Sequence, residues 1–211
     1  ETGDSYNRVF GFDGSFNFAT KYYFNWEVLG YITKELNDPD LYSNNTPINK
    51  KGNDAGFNGE KFSNIGGTIS LSRNARYWKG ELFLNIAPPE ARRELGYMGK
   101  NDFRELGIWQ GYTIYPRNSF ILRIEPSFDA GVQYDYDGRI KEQWVAPKFY
   151  VQFTRLINAN GGFLAVNNEN YYDVYHKNVS RGWVNLNINT SSKATGGVFF
   201  EMGKYIVRFE K

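Results

Sequence analysis

Nucleophilic, acid–base or metal chemistry needs histidine, cysteine or paired carboxylates at usable spacing, and this sequence offers few of them. His176 is the only histidine and cysteine is absent, so a triad has one candidate base and no thiol to activate. Tyr171, Tyr172, Asp173 and Tyr175 surround it, which places it in a polar loop as a solvated side chain. Glu125 and Asp129 share one strand face but stand about 13 Å apart by strand rise. That is too far for the usual glycosidase pair, so they read as part of a charged wall. Asp135 and Asp137 flank a hairpin, and turn chemistry accounts for Asp137. Gly66-Gly67 lies inside a strand, where it signals a bulge or close packing instead of a phosphate loop. Asn44-Asn45-Thr46, Asn178-Val179-Ser180 and Asn189-Thr190-Ser191 match the glycosylation pattern, as chance allows in an Asn-rich chain. No residue set suggests a metal or a cofactor, and an enzyme is not expected.

The elements that carry these residues are strands. In the first, Phe10, Phe12, Gly14, Phe16 and Phe18 alternate with Val9, Gly11, Asp13, Ser15 and Asn17. In the second, Phe24, Trp26, Val28, Gly30 and Ile32 oppose Asn25, Glu27, Leu29, Tyr31 and Thr33. Around 76–87, Trp78, Leu82, Leu84 and Ile86 oppose Lys79, Glu81 and Asn85. The sixth is the clearest, with Phe128, Val132, Tyr134 and Tyr136 on one face and Arg123, Glu125, Asp129 and Gln133 on the other. Runs elsewhere bring the expected total to about ten strands in one domain or barrel segment spanning 1–211.

Alternation does not say which face meets water. A soluble barrel hides its apolar face, whereas a membrane barrel turns it to lipid. Aromatics make up 18% of the chain, more than a globular core needs. On the apolar face they crowd the strand ends (Phe10, Phe24, Trp26, Trp78, Tyr134, Tyr136, Trp144), as interfacial girdles do. Connection lengths point the same way. Short turns are expected at Thr20-Lys21, Asn74-Ala75, Pro116-Arg117-Asn118, Asn158-Ala159-Asn160-Gly161 and Ser191-Ser192-Lys193. The alternate connections are long, at 37–59, 88–102 and 168–180, with only the Asp137-Gly138 turn, read as type I′, short on that side. Short turns at one rim and long loops at the other are how outer-membrane barrels are built.

The expected fold is therefore an all-β, antiparallel, up-and-down transmembrane β-barrel of the bacterial outer membrane. Phe10, Phe12, Trp26, Trp78, Phe128, Val132 and Tyr134 are expected to face lipid. Asp13, Lys79, Glu81, Arg123, Glu125, Asp129 and Gln133 are expected to face the lumen. Strand one would run inward and strand ten would end outside, so the chain is expected to be part of a larger barrel, the alternative being a complete ten-stranded barrel of unusual topology. Further strands would come from a parent chain or an envelope partner.

Residues Asp4-Ser5-Tyr6-Asn7-Arg8-Val9-Phe10-Gly11, followed by Asp13-Gly14, resemble the entry to the C-terminal barrel of a bacterial family. Its members pair an N-terminal carbohydrate-binding module with a large barrel of unknown function. Glu94-Leu95-Gly96-Tyr97-Met98-Gly99-Lys100-Asn101-Asp102-Phe103-Arg104 is similar to that family's best-marked loop. The Tyr134-Asp135-Tyr136-Asp137-Gly138-Arg139 hairpin is similar too. The resemblance covers most of the chain and implies an outer-membrane location with a link to glycans. It supplies no catalytic residues.

Net charge is +2 with no basic block, which argues against a nucleic-acid partner. The bilayer is the expected partner, with glycans as candidates. One reading is a porin-like channel or scaffold for small polar solutes. Another is a soluble all-β carbohydrate-binding module, and a third is a structural subunit of an envelope assembly. Extraction separates the first from the second, since only the first needs detergent.

Overall fold

The computed structural model describes residues 5–38, 40, 52–54, 56–91, 101–117, 120–154, 157–171, 174–191 and 194–206. Its elements are β1 (Tyr6–Phe18), β2 (Tyr22–Lys34), β3 (Lys61–Asn74), β4 (Trp78–Ala87), β5 (Phe103–Tyr112) and β6 (Ile121–Tyr134). They continue with β7 (Ile140–Phe153), β8 (Ile157–Leu164), β9 (Val166–Tyr171), β10 (Val174–His176), β11 (Arg181–Ser191) and β12 (Ala194–Gly203). All belong to one 12-stranded antiparallel sheet, and no helix occurs among the described residues. Ten strands follow in the order β1 to β8, β11, β12, while β9 and β10 form a hairpin attached through β9 to β7. Among the described residues the sheet is open, with β1 paired to β2 alone and β12 to β11 alone.

The register carries the sequence alternation across the strands without losing phase. Phe12 lies opposite Val28, Val28 opposite Gly67, and Gly67 opposite Ile86. Farther along, Leu84, Leu106 and Val132 are neighbours in turn. One face is thus apolar almost throughout, and the other carries hydroxyls, amides and charges. Burial is distributed the opposite way to that of a soluble protein. Tyr31, Thr33, Phe62, Ser70, Gln133, Ala146 and Asn167 are buried, and every one of them lies on the polar face. Phe12 at 70% exposure, Ile65 at 65% and Met202 at 71% stand on the apolar face.

Two glycines are required by backbone geometry. Gly67 has φ +148°, and a Cβ there would sit 2.0 Å from the Glu27 carbonyl oxygen. The Gly66-Gly67 pair therefore marks close packing; β3 stays in continuous register with β2, without a bulge. Gly138 closes the β6–β7 turn at φ +84°, with its N–H donating to the Asp135 carbonyl at 3.1 Å. Asp137 has no positive φ, so this is a type I turn ending on a left-handed glycine, not type I′.

Several connections differ from the sequence reading. Asn158-Ala159-Asn160-Gly161 is not a turn but lies within β8, and the chain reverses between Phe153 and Ile157. Asn158 and Asn160 stay on the polar face, where Asn187 donates an amide N–H to Asn158 at 3.4 Å. Segment 168–180 is not a plain loop, because it contains the β9–β10 hairpin, and His176 lies in β10 opposite Glu169. Strand β6 ends at Tyr134, so Tyr136 belongs to the turn. The 44–46 glycosylation match and most of the 94–104 loop motif lie outside the described residues.

Candidate functional site

Side chains that can do chemistry concentrate on the polar face. Glu125 on β6 accepts a hydrogen bond from the Thr113 hydroxyl at 3.2 Å and faces Lys79 at 3.7 Å and Arg123 at 3.9 Å. The lysine reaches it from β4, across β5. Asp129 accepts from the Trp144 indole N–H at 2.6 Å and from the Lys148 ammonium at 2.9 Å. Both partners come from β7, which the register sets beside β6. Glu105 on β5 accepts from Asn85 at 3.0 Å on one oxygen and from Gln133 at 2.8 Å on the other.

The seven residues expected to line a lumen (Asp13, Lys79, Glu81, Arg123, Glu125, Asp129 and Gln133) share this face. Lys79, Arg123 and Glu125 come together; Asp129 and Gln133 have partners of their own. Asp13, on edge strand β1, lies opposite Glu27. Phe10, Phe12, Trp26, Trp78, Phe128, Val132 and Tyr134 share the other face. Trp144 does not join them. It lies opposite Gly131 on the polar face, with its indole against the space where a Gly131 side chain would be. The Gln133–Tyr134 irregularity shifts the β6–β7 register, so alternation counted past Tyr136 loses its phase.

Sequence reasoning missed Glu105, Glu142, Glu169 and Arg181. They line one cleft of about 510 Å³ with Trp144 and Asn167. Glu105, Glu142 and Arg181 sit in stretches whose sequence shows a strand run without marked alternation, and Glu169 sits in a segment with loop composition. Pairing the strands across their turns would have placed them. Arg181 is engaged by Glu201 at 3.3 Å. No group of three or more metal-ligating residues converges among the described residues.

A second charged group caps the β6–β7 end. Asp135 is buried, which alone would push its carboxyl up. The Arg139 backbone N–H and guanidinium, each at 2.7 Å, outweigh that and hold it below the usual carboxylate range. Asp102 behaves the other way. Burial raises its carboxyl despite the Tyr136 N–H at 3.1 Å and nearby Lys141. These contacts hold the turn and the start of β5 together.

No family model, curated protein or solved structure matches the chain. The resemblance to the barrel family rests on the quoted residues alone.

Proposed function

We propose that this chain is wall material of an outer-membrane β-barrel, with its apolar face against lipid and its polar face toward an aqueous interior. The observation that carries this reading is the inverted burial. Large side chains such as Phe12, Ile65, Leu106, Phe163 and Met202 are exposed on one continuous face, while packed residues lie on the polar face. A soluble monomer rarely exposes an apolar patch of such extent. The ends of the apolar face support the same reading. Toward the short turns, Arg73 sits 4.2 Å over the Trp78 ring, and the Trp78 indole donates to Gln110 at 2.6 Å. At the other end Tyr134 neighbours Arg104, whose guanidinium lies 4.3 Å over Tyr136. Amphipathic rings beside cations at both borders suit the headgroup region. The wall would serve a channel or scaffold for small polar solutes, completed by strands beyond β1 and β12, and the family resemblance adds a link to glycans.

Adjacent positions on β1 test it. Phe12→Arg puts a charge on the apolar face, which in a bilayer costs about 2–4 kcal/mol near the midplane. Asp13→Arg, one residue on, faces the aqueous side and also relieves repulsion with Glu27. Refolding into lipid vesicles should fail or weaken for Phe12→Arg and proceed for Asp13→Arg. In water both positions are exposed, so equal tolerance, together with extraction without detergent, would favour the soluble module.

A further inference from the structure

Charge in the sheet is sorted by face. Every aspartate and glutamate of the described strands stands on the polar face. The apolar face instead carries Arg8, Lys34, Lys61, Arg73 and Arg104, all toward strand ends. Three of these cations meet on β1, β2 and β3, at the border that feeds the long β2–β3 connection. Lys34 lies opposite Lys61 on one side and opposite Tyr6 on the other, and the Arg8 guanidinium covers the Tyr6 ring at 4.7 Å. Neighbouring strands are about 4.8 Å apart, inside the screening length of about 8 Å at physiological salt. Like charges set directly opposite each other destabilise a sheet by themselves, so the pair calls for an anion.

The carboxylates that flank the lysines are engaged elsewhere. The Glu35 N–H donates to the Glu60 carbonyl at 2.9 Å, which extends the ladder by one residue and turns both side chains to the polar side. Glu35 is buried there, and Glu60 accepts from the Asn53 amide at 3.0 Å and the Asp54 N–H at 3.2 Å. Asp54 accepts from the Gly56 N–H at 2.7 Å and the Asn58 amide at 3.2 Å.

Polarity changes over three successive rows of the apolar face. The row nearest the sheet centre is Phe10, Gly30 and Ile65; the next is Arg8, Ile32 and Ser63; the last is Tyr6, Lys34 and Lys61. Phe10 and Ile65 are among the most exposed apolar side chains of the protein. Beside the two outer rows opens a groove of about 470 Å³, lined by Ile32, Asn53, Lys61, Phe62 and Ser63. An ammonium, a hydroxyl and an aliphatic wall thus share one recess.

We propose that this border binds an anionic membrane lipid, with its phosphate beside Lys34, Lys61 and Arg8 and an acyl chain along Phe10 and Ile65. The site deepens the wall reading, and its place in a bilayer rests on it. Two features select the occupant. Basic side chains at a membrane border draw anionic headgroups, and the Ser63 hydroxyl adds a donor for phosphate oxygen. Exposed Phe10 and Ile65 on the adjoining row favour an anion that carries hydrocarbon over a free ion.

Titration with phosphatidylglycerol and with phosphatidylcholine in nonionic detergent, read by native mass spectrometry, tests the site. The parent chain should hold phosphatidylglycerol about tenfold more strongly. Lys34→Gln with Lys61→Gln should remove most of that preference, and Arg8→Gln alone should reduce it. Lys21→Gln with Arg117→Gln strips the same charge from the opposite end and should keep the preference, while circular dichroism checks that each variant folds. No preference, or equal loss in the two double variants, overturns the site. Inorganic phosphate that displaces the lipid at equal concentration overturns the lipid as occupant. Vesicle sedimentation separates this site from the wall. A chain that resists alkaline extraction from phosphatidylcholine vesicles but lacks the preference overturns the site and keeps the wall. A chain soluble without detergent and extractable from vesicles, yet holding phosphatidylglycerol through the two lysines, overturns the wall and keeps the site.

Discussion

The Trp144 indole N–H donates to Asp129 at 2.6 Å while the six-membered edge of the same ring covers Gly131, so one side chain of β7 engages two positions of β6. Trp144→Phe removes the donor and keeps most of the cover. It should cost about 1 kcal/mol, the net value of one hydrogen bond at a half-exposed site. Trp144→Ala uncovers Gly131 too and should cost about 2–3 kcal/mol, below the usual range for core aromatics. Urea or guanidinium midpoints give the comparison. Equal losses would mean that the ring over Gly131 contributes nothing.

Close approach makes a second contrast between Gly67 and Gly138. Gly67→Ala would drive a Cβ into the Glu27 carbonyl oxygen, and backbone on a central strand pair has no room to yield. Loss of roughly 4 kcal/mol or more, or failure to fold, is expected. At Gly138 a Cβ meets nothing within 4 Å, so Gly138→Ala carries only the left-handed backbone cost of about 1–2 kcal/mol. Comparable losses at the two sites would contradict the close packing of β2 and β3.

Period-two patterning made the strands and their two faces readable, because one register runs through the sheet from Phe12 to Val132. What it could not reveal was where strands stop. Asn158 to Gly161 has turn composition, yet the asparagines are tolerated in β8 because they stand on the polar face. Trp144 reads as an apolar-face residue from the sequence, but the irregularity at Gln133–Tyr134 shifts the β7 positions that follow it to the other phase. The cleft carboxylates Glu105, Glu142 and Glu169 are hidden for a different reason. They are far apart in sequence and come together through three strand pairings by way of Gln133, a relationship that no local pattern encodes. The open edges likewise follow from pairing and not from composition.

Acid should weaken the hold of the β6–β7 turn. Asp135 titrates below the ordinary carboxylate range when folded, so it binds its proton more tightly when unfolded. Its stabilising contribution is complete above the unfolded value and is lost as pH falls through the folded one. Asp102 has the opposite sign: its raised carboxyl disfavours the fold at neutral pH, and that cost is relieved on protonation. Asp135→Asn should therefore lower stability by about 1–2 kcal/mol at neutral pH and flatten the acid limb. Asp102→Asn should be neutral or mildly stabilising at neutral pH. Melting curves between acid and neutral pH distinguish them, and an acid limb unchanged in Asp135→Asn would remove Asp135 as its source.

The two edge strands of the sheet, β1 and β12, carry unmet hydrogen-bonding groups within the described residues. Backbone N–H and C=O groups on the outer side of β1 and β12 have no partner strand within the described sheet. In lipid each unsatisfied group costs several kcal/mol, since hydrocarbon offers no replacement hydrogen bond. If the wall reading holds, strands must pair with both edges once the protein is in a bilayer. Hydrogen exchange reports this directly, because a paired amide is protected and an edge amide facing water is not. In vesicles, the outward amides of β1 and β12 should exchange nearly as slowly as those of β5 and β6, which are paired on both sides. In water, without lipid, they should exchange quickly. Fast exchange at both edges in vesicles, with β5 and β6 still protected, would mean that the sheet lies open in the membrane sample. The apolar face would then need an explanation other than a closed wall.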